Sequence, residues 1–152
     1  MLITDRYSGY MWDYYFTKDR KQISIIKHLE HFVKLLDQQW NVKLKVIECD
    51  GELWESFGKV AQVQKWAYKR AIVLEPSAPN TQAQNGGAER SGAIIKEKAR
   101  ANRIGANLPY NLWWEIVRAT VYLHNRTPSY QIGWKTPYEV FLTFISFKSG
   151  TT

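Results

Sequence analysis

EPSAPNTQAQNGGAERSGAIIKEKARANR, residues 75 to 103, has two halves of opposite character. Pro76 and Pro79 lack backbone donors, Asn80 and Asn85 favour turns, and Gly86-Gly87 is highly permissive, so the first half predicts irregular structure. The second half predicts a helix that begins at once, with Glu89 in its first turn, where a carboxylate suits the positive end of the dipole. At about 100° per residue, Glu89, Lys96, Arg100 and Arg103 fall within about 40° of one another, beside an apolar stripe of Ala88, Ile95 and Ala99. A polar loop that delivers one carboxylate to the head of a basic rail suits metal-dependent chemistry on nucleic acid. An ordinary solvated helix face is the alternative reading.

Composition sets the frame for that rail. The chain has 152 residues and 45% apolar content, enough for one globular domain with a real core. Its formal charge is +7, and the excess is uneven. Residues 86 to 152 hold nine Lys/Arg against four Asp/Glu, whereas residues 1 to 85 hold twelve against ten, so the basic end follows the loop. This balance favours a polyanionic partner. Cys49 is the one cysteine, which excludes an internal disulfide and is what a reducing compartment permits. No apolar run approaches membrane-spanning length and no secretory signal is visible, so the expectation is an intracellular protein without a membrane partner.

Upstream, Met1 to Thr4 and Tyr10 to Phe16 are rich in β-branched and aromatic residues around Ser8-Gly9, which predicts two antiparallel strands. Asp19 to Trp40 predicts a long amphipathic helix facing inward through Ile23, Ile26, Leu29, Val33, Leu36 and Trp40. His28 and His31 lack a third ligand at a matching spacing and read as surface residues. Val42 to Glu48 reads as a strand ending at Cys49-Asp50-Gly51-Glu52, a carboxylate on a sharp turn beyond a strand's carboxyl end; Asp50 as a turn-making residue is the alternative. A helix over Ser56 to Arg70 and a short strand over Ala71 to Leu74 lead back to the loop. Downstream, Asn107-Leu108-Pro109 breaks the chain before a helix over Tyr110 to Asn125, with His124 near its end as a capping residue. The rest reads as a loop and docked tail anchored by Trp134, Tyr138 and Phe141. The order β, β, α, β, α, β, α, α predicts a mixed sheet with helices over it.

Several pieces together resemble the integrase catalytic core of copia-type retrotransposon polyproteins and, more distantly, retroviral integrases. They are TDRYSGYMWDYY at 4 to 15, CDGEL at 49 to 53, EPSAPNTQAQNGGAERSG at 75 to 92, KEKAR at 96 to 100, LPYNLWWE at 108 to 115, YLHNRTP at 122 to 128 and KTPYEVF at 135 to 141. The resemblance implies an α/β, ribonuclease H-like fold over residues 1 to 142 with a tail over 143 to 152. It puts Asp50 in the place of the second metal-binding aspartate and Glu89 in that of the catalytic glutamate. Asn85 takes the place of an amide that contacts DNA near the metals, and Lys96, Arg100 and Arg103 lie where phosphates of the DNA end would run.

The implied cofactors are two Mg²⁺ or Mn²⁺ ions, and the implied partners are element cDNA ends, target DNA and further copies of the chain, acting in cytoplasm and nucleus. Gly51 stands where the family usually has Asn after the aspartate. Asp5, before Tyr7-Ser8, matches a position on the family's second strand, so the first metal-binding aspartate is expected upstream, and the chain reads as a fragment lacking the first strand. A catalytically silent DNA-binding or oligomerising remnant and a ribonuclease H-like nuclease are the alternatives.

Overall fold

A computed structural model describes residues 1–16, 22–49, 62–76 and 82–149, with the backbone alone at 76, 82–89, 148 and 149. The elements are β1 (Leu2–Thr4), β2 (Met11–Asp13), α1 (Gln22–Trp40), β3 (Val46–Cys49), α2 (Gln62–Tyr68), β4 (Val73–Pro76), α3 (Gln82–Gly105), α4 (Trp113–Arg126) and α5 (Pro137–Ser149). The chain divides into two compact units, Met1–Tyr15 with Gly86–Thr152, and Phe16–Asn85.

In the first unit β1 and β2 pair antiparallel, with Leu2 opposite Asp13 and Thr4 opposite Met11. The turn between them is built by Asp5. Its carboxylate accepts hydrogen bonds from the Ser8 N–H at 2.8 Å and the Ser8 hydroxyl at 2.6 Å, while Gly9 takes the left-handed conformation that the turn needs. Met11 then joins Ile95 of α3 and Val121 of α4 in a buried cluster, with Leu2 and Val117 packed on it. Asn125 fixes this arrangement from α4. Its amide oxygen accepts the Met11 N–H at 2.9 Å and its amide nitrogen donates to the Met11 carbonyl at 2.8 Å, so one buried side chain continues the sheet's hydrogen bonding. Tyr10 and Trp12 extend the contact to Phe141 of α5, with ring centroids 5.0 and 5.2 Å away.

In the second unit β3 and β4 pair parallel, Val46 opposite Val73 and Cys49 opposite Pro76. Helix α1 buries Ile25, Leu29, Phe32 and Leu36, and α2 buries Val63, Trp66 and Ala67. The Arg70 guanidinium reaches Glu30 at 2.8 Å. The α1 face is turned from the expected one: Leu29 and Leu36 are buried as read, but Ile23 is exposed and Ile25 and Phe32 take its place. The helix carries apolar residues over more than half its circumference, so periodicity alone leaves its azimuth open.

Three further expectations are corrected. Helix α3 begins at Gln82 and runs through Asn85-Gly86-Gly87, so Glu89 lies about two turns inside it, beyond reach of the dipole effect in the first turn. Each glycine costs about 1 kcal/mol relative to alanine, but lengthening a helix already formed by Ile95, Ala99 and their neighbours needs no new nucleus. Pro76 closes β4 rather than opening the loop, at a strand end where a missing donor is tolerated. The docked tail is a helix, α5, and of its three supposed anchors only Phe141 is buried, since Tyr138 lies at the surface and Trp134 is 70% exposed. Thr136 and Glu139 form a capping box around Pro137, with the Glu139 carboxylate accepting the Thr136 N–H at 2.8 Å and the Thr136 hydroxyl accepting the Glu139 N–H at 3.1 Å. These bonds hold the Glu139 carboxyl below its ordinary value.

Replacing Asn125 by Ala leaves both polar groups of Met11 unpaired, and a loss of about 2 to 4 kcal/mol is expected in denaturant unfolding. Asn125→Asp keeps the shape but sets a carboxylate against the Met11 carbonyl, so it favours the protonated form. Its stability should be best below pH ~4 and fall as pH rises.

Candidate nucleic-acid interface and metal-ligand positions

Three of the sequence-predicted residues stand where side chains are not described. Asp50 lies outside the described residues, immediately after the last residue of β3, and Glu89 is described as helical backbone within α3. Asn85 likewise is α3 backbone. Among the described residues no three His, Cys, Asp or Glu side chains converge on a common point. The donor types at Asp50 and Glu89, hard carboxylate oxygens, are those that Mg²⁺ or Mn²⁺ takes. Asp5 has its carboxylate engaged by Ser8 within the hairpin turn.

The rail is described from Arg90 onward. Ile95 and Ala99 are buried, as the apolar stripe predicts, and Lys96 and Arg100 are exposed on the neighbouring face. Helix α4 meets α3 on another side, where the Asn102 amide donates to the buried Thr120 hydroxyl at 3.1 Å and that hydroxyl donates to the Ile116 carbonyl at 2.7 Å. The following helix therefore leaves Lys96 and Arg100 open to solvent.

Arg103 is different. It is half-buried, its guanidinium donates to the Leu108 carbonyl at 3.3 Å and lies 5.9 Å from the Tyr110 ring centroid. The end of α3 explains this. Leu108 N–H reaches the Arg103 carbonyl at 2.9 Å and Asn107 N–H reaches Ile104 at 3.1 Å, with Asn107 in the left-handed region and Pro109 after it: a Schellman stop. The break read at Asn107-Leu108-Pro109 is thus where the helix ends, and Arg103 helps to close it.

Sequence reasoning passed over the residues that hold α4 against the β1–β2 hairpin. Asn125 was visible only as part of YLHNRTP, and nothing local to it announces a partner 114 residues away. His124, read as a helix cap, instead has its ring hydrogen-bonded to the Gly9 backbone. Burial first, and then the Lys98 cation, hold its imidazole below the ordinary value, against that hydrogen bond. Arg118 lies 3.6 Å from the Asp13 carboxylate and over the Tyr15 ring at 5.0 Å.

Lys96→Ala and Arg100→Ala should each leave thermal stability within about 0.5 kcal/mol, because both side chains are solvated. For His124 the folded value lies below the unfolded one, so its contribution is complete above pH ~6.5 and is lost as pH falls through the folded value. Melting temperature followed between pH 8 and pH 5 should fall more steeply in the parent than in His124→Gln.

No family model matches the chain. It is 30% identical over 140 residues to the retrovirus-related Pol polyprotein from transposon TNT 1-94 of Nicotiana tabacum; the match takes in 90% of this chain and 10% of that much longer protein. Among solved structures it is similar to the catalytic core domain of BIV integrase, with a TM-score of 0.68 at 15% identity over 97% of this chain and 88% of that one. It is also similar to a chain of the simian T-cell lymphotropic virus intasome in complex with PP2A regulatory subunit B56 gamma, with a TM-score of 0.66 at 17% identity over 91% of this chain and 46% of that one. The chain therefore has the ribonuclease H-like fold of integrase catalytic cores, and in sequence it resembles the Pol polyprotein of a retrovirus-related transposon.

Proposed function

We propose that this chain is the integrase catalytic-core portion of a copia-type retrotransposon polyprotein, acting in joining element cDNA ends to target DNA. The observation that carries the reading is the fold likeness to a retroviral integrase core over 97% of the chain. The motif residues in family order, with Lys96 and Arg100 exposed on the helix that bears Glu89, support it. In this reading Asp50 and Glu89 hold divalent ions, which supply Lewis-acid stabilisation of the oxygens at phosphorus. The chain's own contribution is placement. Helix α3 fixes Glu89 and the rail in one register, Lys96 and Arg100 hold the phosphates of the DNA end, and Asn85 contacts the end itself. Arg103 contributes only by giving up its bond to the Leu108 carbonyl. As in an intasome, several copies would act together on DNA.

Random duplex binding tests the rail. Two phosphate contacts give a slope of log affinity against log salt of roughly −1.8, and recruitment of Arg103 brings it to roughly −2.7. Lys96→Ala with Arg100→Ala should flatten the slope and weaken binding to every sequence alike; identical curves for parent and variant would leave only a solvated helix face.

Metal chemistry has its own expected outcome. Two carboxylates at matched positions bind Mg²⁺ or Mn²⁺ weakly, and Asp5 is committed to its turn, so this chain alone should show little joining of labelled DNA ends. Robust metal-dependent joining that Asp5→Asn abolishes would overturn that assignment. Degradation of an RNA–DNA hybrid without any joining of DNA ends would favour the nuclease reading.

A further inference from the structure

The segment Ile116 to Tyr138 contains no Asp or Glu, yet it carries Arg118, Arg126 and Lys135. Its exposed side chains include large aromatic rings. Arg126 lies 3.7 Å from the Tyr122 ring centroid and 5.1 Å from that of Tyr138, a guanidinium held between two rings at the end of α4. Directly after it, residues 129 to 135 fold into a closed loop. Ser129 N–H reaches the Lys135 carbonyl at 3.0 Å, Trp134 N–H reaches the Ser129 carbonyl at 2.9 Å, and a short 3-10 turn over Tyr130–Ile132 lies between them in the chain. The loop displays Tyr130, 78% exposed, and Trp134, 70% exposed, with centroids 6.0 Å apart.

Trp134 is costly where it stands. Its φ of 61° lies in the left-handed region that disfavours a bulky side chain, and it directly follows Gly133 at 67°. Glycine would relieve the backbone and also remove a large apolar surface from water. A tryptophan that is both strained and solvated gains nothing for the fold, which points to a surface role.

We infer that the Tyr130–Trp134 loop with Arg126 and Lys135 is a second nucleic-acid surface, one that takes single-stranded DNA or RNA by stacking bases on the two rings and pairing phosphates with the two cations. The exposed rings favour unpaired bases, whose faces are free, and two cations, Arg126 and Lys135, against one neighbouring carboxylate, that of Glu139, which is bonded to Thr136, favour a polyanion over an ordinary peptide. A symmetric contact between two copies through this loop would set its cations against each other. The loop and its cations are different residues from Lys96 and Arg100 of the rail, so this surface is tested independently of strand transfer.

Fluorescence anisotropy with labelled oligo-dT, oligo-U and an abasic oligomer of equal length tests it on the full chain. Trp134→Gly should melt about 2 to 4 °C higher than the parent, because strain is released, while losing affinity for both base-bearing oligomers by roughly 5-fold or more. Tyr130→Ala, at an unstrained position, should show the same loss with unchanged melting, which covers the case in which the glycine variant misfolds. The parent should bind the abasic oligomer more weakly than oligo-dT. Equal binding of oligo-dT and the abasic oligomer, or unchanged oligo-dT affinity in Tyr130→Ala, would overturn the inference. So would sedimentation showing that these substitutions split a dimer while oligonucleotide binding persists; the loop would then be a contact between copies.

Discussion

The pairing of the Asn125 side chain with both backbone groups of Met11 is the constraint on which the first unit depends. A two-stranded hairpin is marginal in water by itself and needs a covering element on its apolar face. Helix α4 supplies that cover through Val117 and Val121, but apolar packing alone lets a helix slide or rotate over a short strand. A buried amide with one donor and one acceptor, matched to one donor and one acceptor on the strand, permits a single register. The cost of any other register is two buried polar groups without partners, each worth about 1 to 3 kcal/mol.

From that fixed register the orientation of α3 follows. Ile95 completes the cluster with Met11 and Val121, Ala99 is wholly buried, and Asn102 is bonded to Thr120. With the inner face of α3 committed at three successive turns, the face carrying Lys96 and Arg100 is left outward. The basic rail is thus a consequence of how the inner face is held. The Schellman stop at Asn107 then ends α3 and draws in Arg103, which marks where the rail changes from a solvated surface to a helix terminus.

Packing and display are separated along α4 and the residues after it. Ile116, Thr120, Val121 and Asn125 face inward, whereas Trp114, Arg118, Tyr122 and Arg126 follow one another at four-residue steps on the outer side. The aromatic content that suggested a large core is divided accordingly. Trp12 and Phe141 serve the interior, and Tyr122, Tyr130 and Trp134 do not.

The sequence by itself determined most of the element order, the apolar stripe of α3, the break at Asn107-Leu108-Pro109 and the resemblance to integrase cores, because each is written in local periodicity, turn chemistry or contiguous motifs. It also held the capping box at Thr136 and Glu139 that starts α5, a local signal passed over for the prolines around it. Tertiary structure alone decided the start of α3, since two glycines argue for a loop until a helix nucleated further along extends through them. It alone decided which arc of α1 is buried, because a stripe that wide has no unique centre. And it alone decided that Asn125 is structural, that Arg103 closes a helix and that Trp134 faces water. Asn125 and Trp134 depend on what does or does not stand opposite in space, which no window of sequence around them contains, and Arg103 depends on how the chain turns at Asn107 to bring Leu108 and Tyr110 back to it.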